Sequence, residues 1–292
     1  MNSKSKGENI FNVFNILFMA FLMLITLYPF MYVVFASFSE PSELMAYNGP
    51  LLSPLGFSAE AYKAVVKYDV IWSGYGNTLF VVVVGTIISL ALTSLGAYAL
   101  SLKNFMYRKP IMLFIVFTMF FSGGLIPSYF TMKNLGLYNS LWVLILPCSI
   151  STYNMIIMRS AIYAIPESLQ EAANIDGASH FTILTKIVLP LCGPTLAVLA
   201  LYYSVAYWNS WFNASIYIQD RDKFPLQLVL REIIMGNESS SIQSTIDMGE
   251  QQSISATIKY ATIIVSTLPI LIVYPYLQKY FVKGTMIGAV KE

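Results

Sequence analysis

Long apolar stretches separated by short polar breaks run the length of this chain. Six of them reach the roughly 18 apolar residues that a bilayer crossing needs. They lie near Phe11–Phe38, Asn77–Leu102, Ile111–Met132, Leu141–Tyr163, Thr182–Trp208 and Tyr260–Phe281. Backbone N–H and C=O groups find no water in the hydrocarbon core, so helices are the expected form. The alternation of a membrane β-strand is absent, and Val81-Val82-Val83-Val84 is continuous. The expected fold class is therefore all-α, a polytopic membrane protein with six transmembrane helices. Residues 1–10 are expected as an N-terminal segment and 11–282 as one six-helix transmembrane domain. That domain contains a polar loop at 164–190, and 283–292 form a tail. Lys4 and Lys6 precede the first stretch as they would a secretory signal. Its apolar run is too long for a signal core of about 7–15 residues, and a retained first helix is expected.

Composition sharpens this picture. Of 292 residues, 57% are hydrophobic and 11% charged, against about 25% charged in soluble domains; the mean hydropathy is +0.64. A net charge of +2 without a basic run gives no reason to expect nucleic acid as a partner, and leaves membrane lipid as the surroundings. Cys148 and Cys192 lie in apolar stretches and read as small buried hydrophobes. Lys103, Arg108 and Lys109 crowd one short loop. By the rule that basic residues stay on the cytoplasmic side, both termini are expected there.

The segments 39–76 and 209–259 are rich in turn residues. They read either as solvated connections or as a docking surface for an external partner. Pro29, Pro127, Pro147, Pro194, Pro269 and Pro275 fall in or near expected helices, where each removes a backbone donor. Gly85, Ala91, Ser94, Gly96 and Ala97 offer small surfaces for close helix packing.

Ionisable groups at membrane depth are expensive and usually mark proton or ion pathways. Residues 70–102, 110–132, 134–158, 187–219 and 260–278 contain none, and the single histidine, His180, lies in the polar break. No His-Glu-x-x-His, Gly-rich phosphate loop or Cys-x-x-Cys occurs. The chain is expected not to be an enzyme and to hold no cofactor or metal of its own. Energy for transport would come from another subunit.

The polar break from Glu167 to Pro190 is the most specific feature. Pro166 suits a first helical turn, and Glu167 and Glu171 favour the early, positive end of a helix. Ala172 and Ala173 are small enough for another surface to approach, and Gly177 permits a left-handed ending. Leu169, Ala172, Ala173 and Asp176 fall on one stripe. The expectation is a short helix, joined to membrane helices on both sides, that moves them when pushed. A partnerless interfacial helix is the alternative.

Glu171-Ala172-Ala173, a gap of three, Gly177, a gap of nine, and Ile187-x-Leu189-Pro190 together resemble the EAA loop of ABC importer permeases. The segment Gln278–Lys291 is similar to the tail of MalG-like carbohydrate-uptake permeases. Phe121–Tyr129, Asn134–Tyr138 and Leu146-Pro147 resemble their LplC/YtcP-like branch. The resemblance covers essentially the entire chain. It implies the ABC importer type I permease fold in a bacterial plasma membrane. Glu171, Ala172, Ala173, Gly177, Ile187, Leu189 and Pro190 would be the ATPase-coupling positions, and the tail from Lys283 to Lys291 would reach toward the ATPases. It also implies a second homologous permease subunit, two cytoplasmic ATPase subunits that bind ATP and Mg, and an extracellular solute-binding protein. The branch implies complex saccharides, plant-cell-wall-derived or acidic; the lack of an intramembrane base leaves a neutral sugar equally open.

For the oligosaccharide itself, Tyr203, Tyr207 and Asn209 combine flat rings with hydrogen-bonding groups, and Tyr153 and Asn154 form a second group. The same aromatics, with Trp208 and Trp211, also fit an interfacial belt. An ABC permease for a non-sugar solute such as peptides, and an ion-coupled secondary carrier, remain open alternatives.

Overall fold

The computed structural model describes residues 6–236, 257–272 and 275. The expectations for the polar patch 237–255, the far end of the sixth span and the tail 283–292 lie outside the described residues. In chain order the helices are α1 (Lys6–Ser37), α2 (Pro41–Ala46), α3 (Glu60–Lys67), α4 (Asp69–Ala99), α5 (Arg108–Phe120), α6 (Leu125–Asn134) and α7 (Trp142–Ile145). There follow α8 (Thr152–Tyr163), α9 (Glu167–Ile175), α10 (His180–Ile183), α11 (Leu189–Leu191), α12 (Gly193–Trp208), α13 (Trp211–Tyr217) and α14 (Leu226–Ile234). The last is α15 (Thr257–Ile272). No strand occurs among the described residues, as the continuous apolar runs require. The described residues form two compact units, one within Met1–Asp69 and Glu232–Leu268 and the other within Val70–Arg231 and Pro269–Glu292.

In the first unit α1 runs unbroken for 32 residues and is exposed along nearly all its apolar length. Its last turns pack Ala36 with Leu44 and Leu51 against Tyr32, Phe35, Leu55 and Tyr260. The segment after α1 is a tight pad. Phe38 stacks on Tyr62 at 4.8 Å, Ser37 Oγ shares a 2.7 Å hydrogen bond with the Tyr62 hydroxyl, and the Ser58 N–H donates to the Phe38 carbonyl.

In the second unit α4 is the central rod, 31 residues long and starting earlier than the apolar pattern suggested. Gly85 lets the Tyr207 ring approach so closely that a Cβ there would sit 2.8 Å from it. Three hydroxyl pairs join α4 to α12: Thr86 with Ser204 (3.1 Å), Ser89 with Tyr207 (2.8 Å) and Thr93 with Tyr203 (2.6 Å). At the other end, the Asn77 amide donates to the Asp222 and Phe224 carbonyls, and the Leu226 N–H donates to Thr78 Oγ1. Asn139, in the left-handed region at φ 57°, accepts from the N–H groups of Gln219 and Asp220. The segment 217–226 is therefore pinned rather than loose.

Among the described residues two helices, Gly7–Ser37 and Asp69–Ala99, are long and apolar enough to cross a membrane, and there are up to five spans if each bent pair counts as one. Three of the expected spans are bent. α5 and α6 meet at 114°, Trp142–Cys148 and α8 at 50°, and His180–Leu191 and α12 at 85°. The causes are local. Gly124 takes φ 84° between α5 and α6; Pro147 sits in a tight 3₁₀ turn at Leu146–Cys148; Gly193-Pro194 opens α12, where proline has no N–H to extend the preceding helix.

A break at membrane depth frees backbone groups that water cannot satisfy. At the α7–α8 break two tyrosines of α12 satisfy them. The Tyr207 hydroxyl donates to the Ile145 carbonyl at 3.3 Å, and the Tyr203 hydroxyl accepts from the Ser151 N–H at 3.1 Å. Both tyrosines are 3% exposed, so the two bonds are made by groups largely shielded from solvent.

Tyr203→Phe keeps the ring and strands the Ser151 N–H. It is expected to lower stability by about 1–3 kcal/mol, read as a fall in Tm of the detergent-solubilised protein; an unchanged Tm would show that the hydroxyl is dispensable. Gly85→Val forces a methyl into the Tyr207 ring. The expected loss is about 1–3 kcal/mol, measurable in the same assay.

Candidate functional site

The polar break folds into an elbow. Pro166, in extended backbone, precedes the first turn of α9, where Glu167 pairs with Lys103. Helix α9 ends because Gly177 takes φ 77°. Its N–H donates to the Asn174 carbonyl at 3.1 Å, and the Ala178 N–H donates to the Ala173 carbonyl at 2.9 Å. This pair of bonds is a Schellman ending, in which glycine avoids the penalty of a Cβ in the left-handed region. The spacing from Ala173 to Gly177 is thus the spacing of a helix stop. Ala173 and Ala178, one at each end of that motif, both pack on the cluster of Met155, Met158, Ile162, Ile183 and Leu184. Ser179 then caps the next helix by accepting from the Thr182 N–H at 3.2 Å.

Each expected coupling residue now has a place. Glu171 and Ala172 are exposed on α9, Ala173 is half-buried, and Gly177 is exposed with no heavy atom within 4 Å of where a Cβ would stand. Ile187 lies in a π-turn, Leu184–Val188, closed by the Leu189 N–H on the Leu184 carbonyl. Pro190 follows immediately and cannot donate to the carbonyl four residues back, which favours this wider turn. Leu189 packs on the same cluster as Ala173, while Pro190 is exposed. The structure thus puts Ala173 and Leu189 inward and Glu171, Ala172 and Pro190 outward. Apolar side chains are uncovered beside them: Ile175 is 86% exposed and Phe181 68%.

The aromatic group divides differently. Tyr203 and Tyr207 are interior, their hydroxyls committed to α4 and to the broken backbone. Two adjoining clefts open beside them. One of about 290 Å³ is lined by Leu144, Cys148, Asn209, Phe212 and Asn213 among others. The second, of about 430 Å³, is lined by Ser151, Tyr153, Asn154 and Tyr202. Tyr203, Ala206 and Cys148 border both. Asn209 is exposed and its amide donates to the Val205 carbonyl of its own helix; Asn154 is buried at 4%. Cys148 is exposed, correcting its reading as a buried hydrophobe, because Pro147 turns the chain before α8 begins. Asn213 escaped the sequence reading, and Cys148 was not expected at a cleft, since α13 and the α7–α8 break are brought together only by folding.

The model of one family, described as binding-protein-dependent transport system inner membrane component, matches residues 94–287. The chain is 43% identical over 272 residues to the polygalacturonan/rhamnogalacturonan transport system permease protein YtcP of Bacillus subtilis strain 168, covering 92% of this chain and 93% of that one. It is 39% identical over 267 residues to protein LplC of the same strain, covering 91% and 90%. Among solved structures it matches a chain from the crystal structure of a bacterial ABC transporter involved in the import of the acidic polysaccharide alginate. That match has TM-score 0.88 and 32% identity over 96% of this chain and 100% of that one. A match at TM-score 0.53 and 15% identity, to the bacterial alginate ABC transporter in complex with alginate pentasaccharide-bound periplasmic protein, shares the fold alone. Together with the EAA spacing and the elbow it builds, these likenesses identify the chain as a transport permease subunit, not an enzyme, belonging to the family of binding-protein-dependent transport system inner membrane components.

Proposed function

We propose that this chain is one of two homologous permease subunits of an ATP-driven importer that carries oligosaccharides across a bacterial plasma membrane, with both termini cytoplasmic and six crossings. The observation that carries the coupling role is the elbow: a capped helix whose outward face shows Glu171, Ala172 and the uncovered Ile175. Such a surface suits a groove in a separate ATPase, with Glu171 meeting a basic or hydrogen-bonding group and Ala172 fitting where a larger side chain would clash. Two such ATPases hold ATP and Mg; this chain supplies no nucleotide site. Their closure would draw the elbows of the two permeases together and turn the path outward, where a solute-binding protein delivers the sugar. Hydrolysis would reset it.

The sugar reading rests on the relatives and on the chemistry of the clefts. Polygalacturonan, rhamnogalacturonan and alginate stand in the names of the proteins this chain is similar to. The clefts offer Tyr153 and Tyr202 rings beside Asn154, Asn209 and Asn213 amides, a mixture suited to sugar faces and hydroxyls. None of the described lining residues is charged. A uronate would be met by amide and hydroxyl donors, and a neutral sugar by the same groups. Reconstituting the assembly and offering trigalacturonate, xylotriose and a tripeptide decides the class. Uptake of the tripeptide alone would overturn the sugar reading.

Ala172 is exposed and Ala173 half-buried, so bulk at 172 leaves the chain's own packing alone. Ala172→Trp is expected to leave the amount of protein in the membrane unchanged and to weaken ATPase association at least about tenfold, or about 1.4 kcal/mol, in a pull-down from detergent. Undiminished association would remove the docking role. Tyr153→Ala takes an exposed ring from the cleft wall. The apparent KM for a carried trisaccharide is expected to rise about threefold to tenfold, for a stacking contribution of about 0.5–1.5 kcal/mol, with ATP hydrolysis intact; unchanged uptake kinetics would exclude this tyrosine from the path.

A further inference from the structure

Every arm of the elbow is tied to one short turn, the end of α4 from Tyr98 to Lys103. From α8, Arg159 Nε donates to the Leu100 carbonyl at 3.0 Å. From the first turn of α9, Glu167 pairs with Lys103. From the helix after Gly177, His180 Nδ1 lies 3.3 Å from the Tyr98 hydroxyl, with the two rings edge to face. The turn is firm in its own right: Tyr98 is 5% exposed, and Ser101 Oγ donates to the Tyr98 carbonyl at 2.7 Å. Beneath these polar ties Ala97, Tyr98 and Leu100 share one apolar cluster with Met158, Ile162 and Ile183.

Arg159 is the strongest of the three ties. Its guanidinium reaches a carbonyl just past the C-terminus of α4, a place where positive charge is favoured. It also donates to the Tyr163 hydroxyl at 2.9 Å and lies 5.0 Å over that ring. No ion pair joins it to a carboxylate among the described residues, so the charge serves the helix end. The Lys103–Glu167 pair, by contrast, is half or more exposed on both sides and contributes little alone.

From this turn α4 runs to the clefts, and its hydroxyl pairs grip α12 at the residues that close the α7–α8 break. We propose that the Tyr98–Lys103 turn is the receiver of the elbow's movement, with Arg159 as its chief positioning residue, and that α4 delivers that movement to the cleft walls through Tyr203 and Tyr207. This rests on the ATPase-coupling role of the elbow. It adds that the elbow moves the path through α4, which is distant from it in sequence, and not only through α8 and α12, to which it is joined.

The test uses the full assembly, both permeases with their ATPases and binding protein, in proteoliposomes. The readout is trisaccharide moved per ATP hydrolysed for wild type, Arg159→Ala, Arg159→Lys and Tyr98→Phe, using whichever of trigalacturonate or xylotriose the wild type carries. Arg159→Ala is expected to keep hydrolysing ATP while the ratio falls about tenfold. Arg159→Lys, which keeps a cation for the Leu100 carbonyl, is expected to restore most of it, and Tyr98→Phe to lower it less than Arg159→Ala. A static cap would lower the amount of assembled complex and leave the ratio of what remains untouched. A wild-type ratio in Arg159→Ala, or equal loss of hydrolysis and uptake in all three variants, overturns the receiver role. A wild-type assembly that moves its solute at the same rate with and without ATP sinks the coupling reading itself, and the receiver with it.

Discussion

A backbone in hydrocarbon must pair its own polar groups, and the second unit is organised around that constraint. Straight helices meet it without help, and α4 is the example. The bent pairs do not, and each bend in a membrane protein needs a supplier of partners. At the α7–α8 break the suppliers are the Tyr203 and Tyr207 hydroxyls, which also hold Thr93 and Ser89 of α4. Each buried hydroxyl is used at least twice, so three helical elements are locked at one point. Gly85 is the complement, since only a missing Cβ lets the Tyr207 ring come close enough.

That lock stands beside the clefts, because Tyr203 and Tyr207 line them. Breaking a helix between Cys148 and Ser151 turns side chains of α8 and α13 toward a common space, and the tyrosines that repair the break become its wall. Irregular backbone at membrane depth is tolerated where it is buried in protein or lines a cavity, and both conditions meet here. The clefts, about 290 and 430 Å³, are small against an oligosaccharide.

The elbow follows a different rule. It lies between helices and meets solvent, so its shape comes from capping rather than from apolar burial. A Schellman ending at Gly177, a serine cap at Ser179 and a π-turn before Pro190 are local devices, the serine cap worth roughly 0.5–2 kcal/mol. They fix the angle of a short helix whose outward face remains uncovered. Its inward face, through Ala173 and Ala178, rests on the same cluster as the end of α4. The elbow is thus a short helix with one face packed and one face uncovered.

Much of this could be read along the chain. Apolar run length dictated helices and excluded strands, because a bilayer offers the backbone no other partner. The spacing from Glu171 to Pro190 marked the elbow and its family, because a glycine stop, a cap and a proline act over a few residues and leave their signature in order. Where the helices bend could not be read, because hydropathy is blind to angle and the prolines at 147 and 194 mark only candidate breaks. The roles of Tyr203 and Tyr207 were equally hidden: an aromatic in a membrane helix looks the same whether it faces lipid, sugar or a stranded N–H. Arg159 carries no mark of its role along the chain, since its partner, the Leu100 carbonyl, stands 59 residues away. The chain by itself decided what each segment is. Tertiary packing decided which distant polar group each segment must satisfy, because pairing in an apolar medium is settled by proximity in space and not by order in sequence.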